Sequence, residues 1–219
     1  MNVFSIRAGL VALALGVSST TYAATVVSNL PNQVSGTNMS YAQVADNFTL
    51  GFDINLTDIR FWSVQSDVSD YSGTVFWAIH SNAAGSPGVV VFSGTAAPVA
   101  TPTGLSTGFG YAEYTFDFAA AGLLTAGDYW LSLQNSALGS TIETEMLWET
   151  SSGGTAPTGQ YVDFTSNLGW IDSGNEHAFQ IFGDRVVVEP PSVPEPTTIA
   201  LLLGALLAAG TVRRQTRKV

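Results

Sequence analysis

The sequence predicts an all-β fold, an antiparallel β-sandwich of jelly-roll-like kind, and three observations predict it. Apolar and polar residues alternate with period two through the middle of the chain, as half-buried strands require. Clusters of Gly, Pro, Asn and Ser interrupt that alternation at short intervals. Between Ala24 and Pro190 no stretch of ten or more residues carries a helical period. Nine or ten short strands in about 160 residues are the complement of two packed sheets.

The strands follow in order. Val44–Leu50 and Ile54–Val64 come first. In GTVFWAIHS, Val75, Trp77 and Ile79 share one face, opposite Phe76, Ala78 and His80. Val89–Gly94 follows the turn chemistry of Asn82–Gly88. Pro98–Gly110 reads as a loop, and then YAEYTFDFA sets Tyr114, Phe116 and Phe118 against Thr115 and Asp117. Phe118–Gly127 allows a short helical turn. DYWLSLQ points Tyr129, Leu131 and Leu133 inward. Thr144–Thr150, a loop at Ser151–Gly159, Gln160–Thr165 and His177–Phe182 complete the series.

Charge narrows the function. The chain carries −10, but residues 24–196 hold only Arg60 and Arg185 against all 17 acidic residues, a net −15 without a lysine. Such a surface repels phosphate backbones, so nucleic acid is excluded as a partner. With no cysteine there is no disulfide framework, thiolate metal site or cysteine nucleophile.

The two ends are read separately from the middle. Residues 1–23 have the form of a signal peptide: Arg7 in the basic region, an apolar run from Ala8 to Val17, and small residues leading to cleavage between Ala23 and Ala24. Signal peptidase and the secretion machinery are therefore expected partners, and residues 24–186 fold outside the cytoplasm. Residues 187–196 form a Pro-rich linker, stiffened because Pro194 and Pro196 disfavour helix. Residues 197–212 are 16 uncharged residues, which as a helix cover ~24 Å of a hydrocarbon layer ~30 Å thick. This single transmembrane helix is short. Arg213, Arg214, Arg217 and Lys218 in the tail 213–219 act as its cytoplasmic stop.

Pro194-Glu195-Pro196, the short apolar helix and the basic terminus together resemble the PEP-CTERM sorting signal of Gram-negative bacteria. The resemblance covers the last 27 residues. It implies recognition by exosortase, a membrane cysteine transpeptidase-like enzyme, with processing near Pro194-Glu195-Pro196. It also implies an inner-membrane-anchored precursor whose mature form reaches the cell surface or extracellular matrix, in an exopolysaccharide or biofilm setting. An ordinary anchor that is never cut would give the same topology. AAGLLTAGDYWLSL is similar to the matching segment of secreted bacterial β-sandwich modules, including those of PEP-CTERM proteins.

Candidate chemistry in the middle is sparse. His80, beside Ser81, lacks a G-x-S-x-G context and is expected to bond backbone at a strand end. His80 and His177, the only histidines, would have to converge to hold a metal. Glu143 and Glu145 share a strand face near Glu149, and a glycosidase needs a second acid across the sugar. Asp53, Asp58, Asp67 and Asp70 lie in turn-like stretches that suit structural calcium, without EF-hand spacing. No other cofactor is expected. Five tryptophans offer flat faces for sugar rings. Trp77 is expected in the core. Trp62 and Trp130 alternate away from it, and Trp148 and Trp170 are the candidate glycan contacts. The expectation is a non-enzymatic exported matrix protein, with a calcium-dependent, lectin-like module as the alternative.

Overall fold

Alternation of apolar and polar residues becomes two antiparallel sheets in the computed structural model, which describes residues 23–153, 157–165 and 168–187. The chain divides into two units, Met1–Val186 and Val187–Val219. Residues 1–22 of the expected signal peptide, the expected linker beyond Val187, the apolar segment 197–212 and the basic tail lie outside the described residues. Among the described residues no helix is long and apolar enough to cross a membrane.

The strands are β1 (Ala24–Asn29), β2 (Pro31–Asn38), β3 (Ala42–Leu50), β4 (Ile54–Gln65), β5 (Val75–Asn82), β6 (Pro87–Ala96), β7 (Thr101–Ser106), β8 (Ala112–Leu124), β9 (Gly127–Asn135), β10 (Leu147–Ser151), β11 (Gln160–Asp163), β12 (Ile171–Asp172) and β13 (Phe179–Arg185). One sheet, A, is built on β4, which pairs with β8 along one side and with β13 and then β10 along the other. β1, β2 and β7 extend it outward from β13, β10 and β8. The other sheet, B, runs β12-β11-β3-β9-β5-β6. The longest pairing, β4 with β8, sets Phe61 on Phe116 with ring centroids 4.8 Å apart.

Inward residues of both sheets make one core. Val44, Phe48, Leu131, Leu133, Trp77 and Ile79 from sheet B meet Ile59, Phe61, Phe116, Phe118, Trp148, Phe179 and Ile181 from sheet A. Rings bridge the sheets: Trp77 lies 5.9 Å from Phe118, and Phe48 lies 6.1 Å from Phe179. Packed aromatic pairs of this kind add to the area they bury.

Four expectations are corrected. Residues 24–38 hold two strands, and the Pro98–Gly110 loop contains β7. These segments have few apolar residues because they are sheet borders, exposed or half-buried on both faces. Phe118–Gly127 is no helical turn, since β8 runs on to Leu124. Glu143 and Glu145 precede β10 and belong to a loop. Asp67 and Asp70 cap a 3-10 turn, Val68–Asp70, through a reciprocal capping box.

Trp148 touches His177 at 5.0 Å and Phe179 at 6.0 Å between centroids, and its Nε1 donates to the Ala178 carbonyl at 2.8 Å. Trp148→Ala removes the ring and one of the two donors to that carbonyl, which keeps the Trp62 N–H at 3.3 Å, so stability to urea falls by about 3–5 kcal/mol. Phe109→Ala, at a turn position 79% exposed, changes the same midpoint by less than about 0.5 kcal/mol.

Candidate functional site

The chemistry collects where β2 leaves its sheet. Glu149 pairs with Gly36 and Ser151 with Pro31, so five residues of β2 oppose a two-residue step of β10. The surplus, residues 32–35, lifts away from the ladder, and Gln33 adopts a left-handed φ of 56°. From there its backbone N–H donates to Glu149 Oε1 at 2.8 Å, and its side-chain amide donates to Glu113 Oε2 at 2.7 Å. Register explains the meeting. Glu113 sits opposite Val64, Val64 opposite Leu147, and Glu149 is two residues on, all on the outer face of sheet A.

Glu113 and Glu149 are both buried. Burial first, and then the neighbouring Glu113 charge, push the Glu149 carboxyl up to about 8. Its Oε2 has no donor among protein atoms, but the two side chains hydrogen-bond each other. A proton held by Glu149 satisfies that oxygen as a donor to the Glu113 carboxylate. Carboxyl groups in hydrogen-bond contact are closer than the ~5–9 Å that glycosidase acids keep across a sugar ring.

A cleft of about 380 Å³ opens beside this clamp, lined by Ser35, Gly36, Val64, Thr107, Phe109, Tyr111 and Leu147. Its volume falls within the range of small-ligand sites. The β7–β8 turn supplies the aromatics: the Thr107 N–H donates to the Tyr111 carbonyl at 2.9 Å, and Gly110 takes a φ of 84°. Phe109 is thereby exposed, and the Tyr111 hydroxyl donates to Glu145 at 2.5 Å. Gly36 is required on the cleft wall, because a Cβ there would lie 2.7 Å from the Leu147 Cβ and the Trp148 carbonyl oxygen.

A second acid pair closes one end of the core. Asp46 Oδ2 accepts from the His177 N–H at 2.5 Å, and His177 Nε2 bonds Thr37 Oγ1 at 2.9 Å. Burial holds Asp46 and Glu176 above the ordinary carboxylate range, and the two side chains are hydrogen-bonded to each other. Burial also drives the His177 ring down to about 3, so it is neutral.

The expected site residues scatter. Trp148 is fully buried and is not a glycan contact. Its glutamate neighbours misdirect, because residues adjacent in a strand face opposite ways and Trp148 takes the core side. Trp62 and Trp130 point outward yet are buried as well. Trp130 lies on a smaller cleft of about 170 Å³ with Asn47, Asp128 and Pro157, its Nε1 donating to Asn82 Oδ1 at 3.1 Å. Trp170 is half-buried, its ring edge-on to His80 at 5.8 Å. His80 sits inside β5 rather than at its end, bonding the Gly88 carbonyl through Nδ1 and Ser132 through Nε2. His177 faces Thr37 and Asp46 instead, so the two histidines do not converge.

Each calcium-candidate loop spends its carboxylate locally where a partner is seen. Asp53 accepts from the Ala126 N–H, Asp67 from Ser69 and Asp70 from Ser66. Among the described residues no group of three or more His, Asp or Glu could hold a metal ion. Ala24 is the first residue of β1, and Ala23 precedes it. Pro194, Glu195, Pro196, Arg213, Arg214, Arg217 and Lys218 lie outside the described residues.

Because its folded value is raised, Glu149 favours the native state only while protonated. That contribution is complete below about 4.5 and drains away as pH rises toward about 8. Glu149→Gln mimics the protonated acid, donating an amide N–H to Glu113. Urea midpoints at pH 5, 7 and 9 should fall for the wild type relative to the variant. The variant should be the more stable by roughly 1–3 kcal/mol at the alkaline end. Parallel profiles would refute a shared proton. His177 works in the opposite direction in both proteins, its lowered value costing stability as pH drops from 6.5 toward about 3.

No family model, curated protein or solved structure matches this chain.

Proposed function

We propose that this chain is an exported, non-enzymatic matrix protein, a jelly-roll-like sandwich delivered through its C-terminal signal and contributing cohesion or adhesion among exopolysaccharide. One observation carries the reading: Pro194-Glu195-Pro196, an apolar run and four basic residues stand in that order at one end, with a cleavable leader at the other. The secretion machinery and signal peptidase act first. The inner membrane then holds the precursor until exosortase acts at the proline strip. The acidic sandwich suits a hydrated polysaccharide gel, since its self-repulsion opposes precipitation.

A second reading is favoured by the cleft beside Gln33. Phe109 and Tyr111 offer faces to sugar C–H groups, and Ser35 and Thr107 offer hydroxyls, so a neutral glycan is the ligand this cleft suits. It is a lectin-like reading in which Phe109 replaces Trp148 as the stacking group.

Replacement of Pro194, Glu195 and Pro196 by alanine leaves an uncut, membrane-held precursor. Mass spectrometry of the wild-type extracellular form gives a C-terminus close to Glu195, and an intact Val219 on that form would overturn processing. For the second reading, affinity electrophoresis in gels containing neutral glucans or mannans should retard the wild type. Phe109→Ala should weaken that retardation by about tenfold, the scale of one lost aromatic contact. Equal mobility of the two proteins in every gel would remove the glycan reading and leave the sorting reading standing.

A further inference from the structure

From Tyr71 to Ala112 the chain runs 42 residues without an aspartate, glutamate, lysine or arginine. This is its longest neutral tract, set within a segment that carries −15. The tract folds into β5, β6 and β7. Among the described residues β6 is the last strand of sheet B, paired with β5 along one side only, and β7 borders sheet A beside β8.

A bare strand edge offers unpaired N–H and C=O groups to any other strand, and natural edges are guarded by charge, by interior proline or by bulges. β6 has no charge, and its proline stands at the first position, where it blocks nothing further along. Two bulges twist its beginning, but Phe92–Ala96 pairs regularly with Val75–Ile79. Val89, Val90 and Val91 are consecutive and exposed, Val89 at 78%. The strand is also held firmly. The Phe92 ring occupies the space above Gly122, where a Cβ would come within 2.6 Å of it.

We propose that this neutral border is a self-association surface. β6 of one copy pairs antiparallel with β6 of a second, and the two B sheets become continuous across a two-fold axis. Antiparallel pairing of identical strands is isologous, so neutral residues oppose neutral residues along the seam. Charge selects the second copy as the occupant. Two molecules of this acidity repel wherever acidic faces meet, and an uncharged border such as β6 is where they approach at little cost. A charged partner would find no electrostatic hold on it. The association belongs to the sandwich and stands whether or not the chain is sorted at Pro194.

Salt gives the contact a signature. Contacts made by opposite charges weaken as the Debye length shrinks, whereas a neutral seam between two acidic bodies strengthens because only the repulsion is screened. Sedimentation velocity of the full-length chain in mild detergent, over a range of concentrations, should show a dimer whose population grows with protein and with salt up to about 0.5 M. Val89→Glu with Val91→Glu should move the dimerisation midpoint to concentrations at least about tenfold higher. Leu138→Glu with Leu168→Glu adds equal charge at exposed loop positions and should leave the midpoint within about twofold. Near-ultraviolet circular dichroism verifies the fold, and the single Val89→Glu serves if the double variant is impaired. Three results would overturn the seam: a wild type monomeric at every concentration and salt, a dimer that the V89E/V91E change leaves intact, or a dimer that salt dissociates.

Discussion

The sandwich depends on neutralising buried carboxyl groups without cations. Asp46, Glu113 and Glu149 are all buried, and the two arginines among the described residues stay at the periphery. Arg60 Nε pairs with Asp117 Oδ1 at 2.6 Å, and Arg185 lies over the Phe52 ring at 4.6 Å. An ionised carboxylate sealed from water without a partner is far too costly to keep. The fold answers with protons and amides. Glu149 shares a proton with Glu113 under Gln33, and Asp46 shares one with Glu176 under the His177 backbone. Among the described residues the two buried carboxylate oxygens that lack a protein donor, Glu149 Oε2 and Glu176 Oε2, each belong to such a pair. A proton shared between two carboxyl groups accounts for both oxygens.

Those two clamps explain irregularities that period-two alternation leaves unaccounted for. Residues 32–35 leave the β2–β10 ladder because Gln33 must face Glu149 and Glu113, and the left-handed backbone at a non-glycine residue is tolerated where two hydrogen bonds to buried carboxyl groups hold it. At the far end, His177 lies against Trp148 while its N–H holds Asp46, so the chain entering β13 is fixed before its first paired residue. Gly159 is small for the same reason: a Cβ there would lie 2.5 Å from His177 Nδ1.

Alternation made the core strands legible in the sequence because an antiparallel sheet with one buried face writes its geometry into every second residue. β4 and β9 were readable almost to their ends, and β8 as far as Ala119. β1, β2 and β7 were not, since a border strand has no strong apolar face to betray it. The tryptophans show the limit more sharply. Alternation does send Trp62 and Trp130 outward, but period says nothing about what lies over an outer face. Asn82 and Pro157 lie against Trp130, and the residues that close over Trp62 are equally invisible in its own strand. The acid pairs were out of reach for another reason. Glu113 and Glu149 are neighbours only through the register of β8, β4 and β10, and no local spacing encodes a register.

Charge ties the interior to the surface. Each proton shared between buried acids removes one negative charge from a body that is otherwise strongly self-repelling, so the acid pairs lower the total charge as well as satisfying buried oxygens. The charge that remains is not spread evenly: from Tyr71 to Ala112 there is none, and this tract supplies the β6 border and the turn carrying Phe109. The exposed aromatic and the exposed valines therefore come from one neutral segment, with the acids confined to residues 46–70 and 113–195. A sandwich built this way resists indiscriminate aggregation through its acidic faces and keeps the β6 border free of charge. Sharing protons between buried acids and leaving the β6 border uncharged are two answers to the same shortage of lysine and arginine.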